Sequence, residues 1–241
     1  MPRPTVKWTW LGTIAFFFAW GFVIHGVGLL LHEVGGHALA TLILGCGIDR
    51  INLTYFGHGF VQHAACTPWT STRRLIFDWP GIAVTLSAGV VTMAFQRTGL
   101  TPLTRLLLAL LAAWFLLGQL GYATAGGFYE VGDPALTAII LEAHGLHVLA
   151  WFPPLVVYAA AALYSARAIV DAFREHFGSR TRIDALKQTA ATLGTAGLLY
   201  FVAFGIESAI RTDVVRGVDV AAERRAAIVQ EFRSLEPAEE N

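Results

Sequence analysis

The sequence predicts an all-α polytopic membrane protein with five to six transmembrane helices and a small membrane-associated β-hairpin. The prediction rests on three observations: 55% of the 241 residues are apolar and only 14% are charged, mean hydropathy is +0.57, and several long stretches are almost free of charge. Crossing a hydrocarbon core about 30 Å thick takes roughly 20 helical residues. Stretches of that order lie near residues 8–46, 79–96, 103–123, 148–170 and 188–210.

At about 1.5 Å per residue the first stretch is much longer than one perpendicular crossing. It is either one long kinked helix or two helices broken at His25-Gly26-Val27-Gly28, where glycines loosen the turn. The chain therefore has five passages if it is continuous and six if it breaks. No small-residue cleavage site precedes the His32 segment, so the first helix is expected to stay in the mature protein.

Net charge is zero and no basic cluster is dense enough for nucleic acid, so partners are expected in the membrane: the lipid bilayer, a membrane-protein or peptide substrate, or a membrane-complex partner. Arg50, Arg73 and Arg74 on one side are balanced by Arg174, Arg180, Arg182 and Lys187 on the other, which leaves orientation open. The two cysteines, Cys46 and Cys66, read as unpaired thiols, since free cysteine is commonly a small buried hydrophobe.

Residues 50–56 alternate apolar and polar side chains at strand period, Gly57-His58-Gly59 makes a turn, and Phe60-Val61-Gln62 runs back, so residues 50–63 read as a β-hairpin. A second informative loop spans residues 123–148 and carries Glu130-Val131-Gly132-Asp133-Pro134. Two passages separate the loops, and an even number returns the chain to the same side. Residues 1–212 form the membrane domain. The charged tail over 213–241, with Val218, Ala221, Arg225, Ile228, Val229 and Phe232 at helical spacing, is a surface helix with a frayed end.

The chemistry concentrates in His32-Glu33-Val34-Gly35-Gly36-His37. Three ionisable residues inside an apolar helix are costly unless something compensates them. The ordinary zinc helix, H-E-x-x-H, puts its histidines four apart so that both grip one ion while the glutamate activates water. Here the spacing is five, and at about 100° per residue the two rings diverge by about 140° on an ideal helix. A π-bulge absorbs one residue, and Gly35-Gly36 is where such a distortion meets least steric resistance.

The run from His32 to Ala40, followed by Leu44-Gly45 and a short hairpin, resembles the site-2 protease family of intramembrane zinc metalloproteases over roughly residues 20–145. The resemblance implies that His32 and His37 bind zinc, that Glu33 is catalytic, and that Asp133 completes the metal site. A five-residue histidine spacing is similar to that of the zinc helix of dipeptidyl peptidase III. The chain departs from the family pattern elsewhere. Asp133 sits in Val131-Gly132-Asp133-Pro134 rather than in Asn-Pro-x-Pro followed by Asp-Gly. The asparagine of the following helix is absent, with only Thr85 in Pro80-Gly81-Ile82-Ala83-Val84-Thr85, which leaves oxyanion stabilisation without a donor.

Competing roles stand beside each assignment. Asp133 before Pro134 is also a favourable helix cap, with Glu130 and then Asp78 as reserve ligands. His25 lies about 10 Å up the axis from His32, too far to share an ion. His58 and His63 are polar turn residues or contact substrate or metal, and His144 and His147 are interfacial. The expected function is zinc-dependent hydrolysis of peptide bonds in membrane-associated substrates by a multi-pass protein of the cytoplasmic membrane, with Zn²⁺ as cofactor. A catalytically inactive relative acting as a membrane scaffold or accessory subunit is the alternative, and a metal-handling transporter a more distant one.

Overall fold

The computed structural model describes residues 9–56, 59–64, 71–96 and 99–210. Seven α-helices, one π-helical segment and one antiparallel hairpin account for the described chain: α1 (Trp10–Leu30), the π-helical segment (Leu31–Ala38), α2 (Leu39–Ile43), β1 (Ile48–Leu53), β2 (Gly59–His63), α3 (Ser71–Phe95), α4 (Pro102–Tyr129), α5 (Ala135–Ala143), α6 (Val148–Phe177) and α7 (Arg182–Ile210). Among the described residues five helices are long and apolar enough to cross a membrane, the first of them running unbroken through Trp10–Ile43. The expected all-α architecture with a small hairpin is what the chain adopts.

The first helix does not break at His25–Gly28. The wider π turn comes later and keeps helical backbone on both sides, so one helix changes its winding without ending. Thr9 caps α1 by accepting the Gly12 N–H at 3.1 Å, and Thr101 caps α4 by accepting from Thr104 at 3.2 Å, with Pro102 in the first turn; each satisfies a donor the helix leaves free.

Helix α4 runs to Tyr129, farther than the apolar stretch ending at residue 123, because the glycines that read as a loop are contact points. Gly127 lies so close to the Ala150 carbonyl of α6 that a Cβ has no room. Glu130 then ends the helix in the left-handed conformation at φ 55°. Helices α1, α4, α6 and α7 meet around Ile14, Phe17, Leu106, Ala172, Phe173 and Ala196. This core lies toward the end of the bundle away from the hairpin. There Arg105 pairs with Glu175, and Arg182 pairs with Asp171 at 3.1 Å.

The hairpin pairs Ile51 with Val61 and Leu53 with Gly59, with a register irregularity between Ile48 and Arg50. Its turn is anchored to α7: the Tyr55 and Phe56 N–H groups donate to the two Glu207 carboxylate oxygens at 2.8 and 2.6 Å, and the Tyr200 hydroxyl donates to the Phe56 carbonyl at 2.9 Å. Cys46 is disulfide-bonded, which corrects the expectation of an unpaired thiol there. The other cysteine of the chain, Cys66, lies outside the described residues, as do His58 and the tail expected over 213–241.

Hairpin, Asp133 loop and the C-terminal end of α7 share one end of the bundle, in line with the parity of the passages. Cysteines introduced at Asp49 and His144, in a background without native cysteines, are therefore expected to label from one side of the membrane. A cysteine at Arg180 is expected to label from the other. Labelling of Asp49 and His144 from opposite sides contradicts the arrangement.

Candidate metal centre

The π-helical segment carries the whole HEVGGH motif, and His32, Glu33, Gly36 and His37 are all buried. Bonding from i to i+5 brings residues five apart onto nearly the same face, so the spacing that disqualifies an ordinary helix suits this one. The rings of His32 and His37 meet edge to face with centroids 4.9 Å apart, and their Nε2 atoms are 3.1 Å apart.

Asp133 completes a triangle. Its Oδ2 lies 3.0 Å from His32 Nε2 and 3.1 Å from His37 Nε2, and His32, His37 and Asp133 form a group able to hold a metal ion. The capping role does not materialise: Pro134 precedes α5 and no side chain caps that helix. Beside the two imidazoles the Asp133 carboxyl is held below the usual carboxylate range in spite of its burial.

Chemistry of the donor set narrows what fits between these atoms. The His37 Nδ1 lies 2.7 Å from the Phe77 carbonyl oxygen; a carbonyl only accepts, so Nδ1 carries the proton. In neutral His37, Nε2 then presents a lone pair to the centre. A carboxylate oxygen and such a nitrogen converging at this range suit a bound cation, or a proton shared between them. Two histidines and a carboxylate are also a familiar catalytic zinc set, with ligand atoms about 3.3 Å apart for tetrahedral bonds of roughly 2.0–2.1 Å. Fixing the far ring nitrogen on a backbone carbonyl is the common second interaction of metal-binding histidines.

Two glycines make the space. A Cβ on Gly81 would stand 2.7 Å from both Nε2 atoms, so its hydrogen leaves the centre open. Gly36 packs on the backbone of Pro80 and Gly81 with no room for any side chain, which brings the π segment against α3. A third glycine, Gly59 at the start of β2, seats the Glu33 side chain: a Cβ there would lie 2.6 Å from Glu33 Cγ and 3.0 Å from Oε1. Glu33 thus lies under the hairpin and within electrostatic reach of His32, His37 and Asp133.

The Asp133 loop is held from α4. The Asp133 N–H donates to the Tyr122 hydroxyl at 2.9 Å, the Val131 N–H donates to Gly126 O at 3.1 Å, and Gly132 adopts φ +66° against Tyr122, where a side chain would collide with the phenol oxygen.

The other candidates lie elsewhere. Glu130 faces His147 at 3.7 Å, and His147 donates to Gly127 O at 3.1 Å. His25 packs its ring against Trp114 and Tyr200. His63 meets the Phe77 ring edge-on, His144 is exposed at the end of α5, and Asp78 is not in the cluster. The buried Thr85 hydroxyl donates to Gly81 O in its own helix at 2.9 Å. Sequence reasoning missed Tyr122, Gly81, Gly59 and the Phe77 carbonyl. None belongs to the histidine motif, and only tertiary packing brings them to it. No family model matches the sequence, and no curated protein or solved structure matches the chain.

Proposed function

We propose that this protein is a zinc-dependent peptide hydrolase of the cytoplasmic membrane, akin to the site-2 proteases. The observation that carries the reading is the triangle of His32 Nε2, His37 Nε2 and Asp133 Oδ2, with sides of 3.0–3.1 Å, beside a buried Glu33. Bound there, the metal would polarise the scissile carbonyl and acidify a water molecule.

The chain's own residues do the rest. Phe77 fixes the His37 ring so that Nε2 faces the centre, and Tyr122 holds the Asp133 loop. Glu33 accepts the proton of the attacking water on a carboxylate oxygen and delivers it to the leaving amine nitrogen. The free edge of the hairpin suits an extended substrate strand. Substrate helices must unwind first, because their backbone groups are otherwise fully bonded within the bilayer.

Elemental analysis of detergent-purified protein, paired with cleavage of quenched fluorescent peptides that include transmembrane-helix sequences, tests the reading. About one zinc per chain is expected, with cleavage that a chelator stops and zinc restores. The His32→Ala, His37→Ala double variant is expected to carry no zinc. Equal zinc in both proteins removes the metal assignment, whereas zinc-loaded wild type without cleavage leaves the scaffold alternative.

A further inference from the structure

We propose that Tyr122 is the hydrogen-bond donor to the oxyanion formed during peptide hydrolysis, a role that rests on the hydrolase reading above. Attack on an amide moves the carbonyl π pair onto oxygen, and preorganised donors aimed at that oxygen are commonly a large part of catalysis. The obvious side chain for this, Thr85, spends its proton on Gly81 O, and the surrounding backbone N–H groups of α3 and the π segment belong to helices.

Tyr122 is differently placed. Its oxygen accepts the Asp133 N–H at 2.9 Å, which occupies a lone pair and leaves the O–H proton for another acceptor. Among the described residues none takes it. The ring stands edge-on to His32 with centroids 6.1 Å apart, so the phenol lies between a histidine of the triangle and the backbone of its aspartate. Gly132 is bare of side chain where it meets that hydroxyl. The stem is a rigid aromatic ring on α4, a long transmembrane helix, so little reorganisation is needed when charge develops.

The step balances without a further reactant. The water oxygen bonds to the carbonyl carbon, Glu33 takes the water proton, and the carbonyl π pair becomes the oxyanion lone pair that Tyr122 stabilises by hydrogen bonding, keeping its own proton. On collapse that pair reforms the carbonyl, the C–N bond breaks, and the proton on Glu33 passes to the amine. A purely structural Tyr122 would act only by positioning Asp133, and its removal would show in metal affinity.

The test uses the full chain in detergent micelles, with zinc affinity measured against a chromogenic chelator and kcat and KM measured on the quenched peptide panel. For Tyr122→Phe, kcat at saturating zinc is expected to fall about 10²–10³-fold, the range for losing one oxyanion donor, with KM within about twofold of wild type, while zinc affinity falls separately because the Asp133 N–H loses its acceptor. A zinc affinity lowered by about 10–100-fold, with kcat restored at saturating zinc, makes Tyr122 a positioning residue only and overturns the proposal. Unchanged kcat also overturns it. Replacement of Tyr122 by 4-aminophenylalanine keeps the ring and an N–H donor at the same point, which guards against a Tyr122→Phe protein that does not fold. Its kcat is expected to stay within about tenfold of wild type, since a neutral donor is retained where the oxyanion forms. A folded, zinc-loaded 4-amino variant with kcat reduced by the full loss of a donor counts against the role. Wild type with no metal-dependent cleavage removes the hydrolase reading itself, an outcome distinct from active wild type with an indifferent Tyr122 variant.

Discussion

Replacing Gly81 with alanine is expected to abolish zinc binding while leaving every metal ligand in place. The new Cβ would stand 2.7 Å from His32 Nε2 and from His37 Nε2. An ion bonded to both nitrogens at roughly 2.0–2.1 Å has to share that volume. The nearest atoms the Cβ meets belong only to the two histidine rings, so the damage is local and the helix contacts of α3 are kept. Gly36→Ala makes the opposite case. Its Cβ runs into the backbone of Pro80 and Gly81, which cannot swing aside as a side chain can, and the π segment must move away from α3. Overpacking of this kind costs on the order of 1–3 kcal/mol, so Gly36→Ala is expected to lower the unfolding temperature and zinc content together. Elemental analysis combined with thermal unfolding in detergent separates the two variants. Full zinc in a folded Gly81→Ala protein would show that the triangle does not hold the ion.

The membrane architecture was legible because hydropathy and length are local properties that need no tertiary information. The five spans follow from charge-free runs, and the hairpin from alternation over residues 50–56. Boundaries were less legible where glycine has two meanings. Gly26 and Gly28 read as a break but lie within continuous helix, and Gly126 and Gly127 read as a loop but pack against neighbouring backbone. The five-residue histidine spacing required the helix to depart from α winding, and a π turn is found there. The reason for its glycines was only half visible. Gly36 is excluded from bearing a side chain by the approach of α3, a fact no one-dimensional pattern contains. Likewise the position of Asp133 is a matter of space: its N–H bonds to the Tyr122 hydroxyl, its carboxylate lies beside the two histidines, and no side chain caps α5.

Substituting Glu33 by glutamine is expected to separate metal binding from catalysis. The amide has nearly the shape of the carboxylate but cannot accept and return a proton. Peptide cleavage should therefore fall about 10²–10⁴-fold, the usual contribution of a positioned general base, while zinc content stays at the wild-type level because Glu33 is not one of the three converging groups. Gly59→Ala approaches the same point from the hairpin. A methyl group there would stand 2.6 Å from Glu33 Cγ, so the side chain has to shift although its chemistry is intact. Zinc content is again expected to be unchanged and cleavage to fall, by less than in Glu33→Gln, because a displaced carboxylate keeps some of its basicity within reach of water. The pair distinguishes a catalytic carboxylate from one that serves only to neutralise the buried histidines. In the second case Glu33→Gln would weaken zinc binding along with cleavage, and Gly59→Ala, which retains the charge, would leave cleavage untouched.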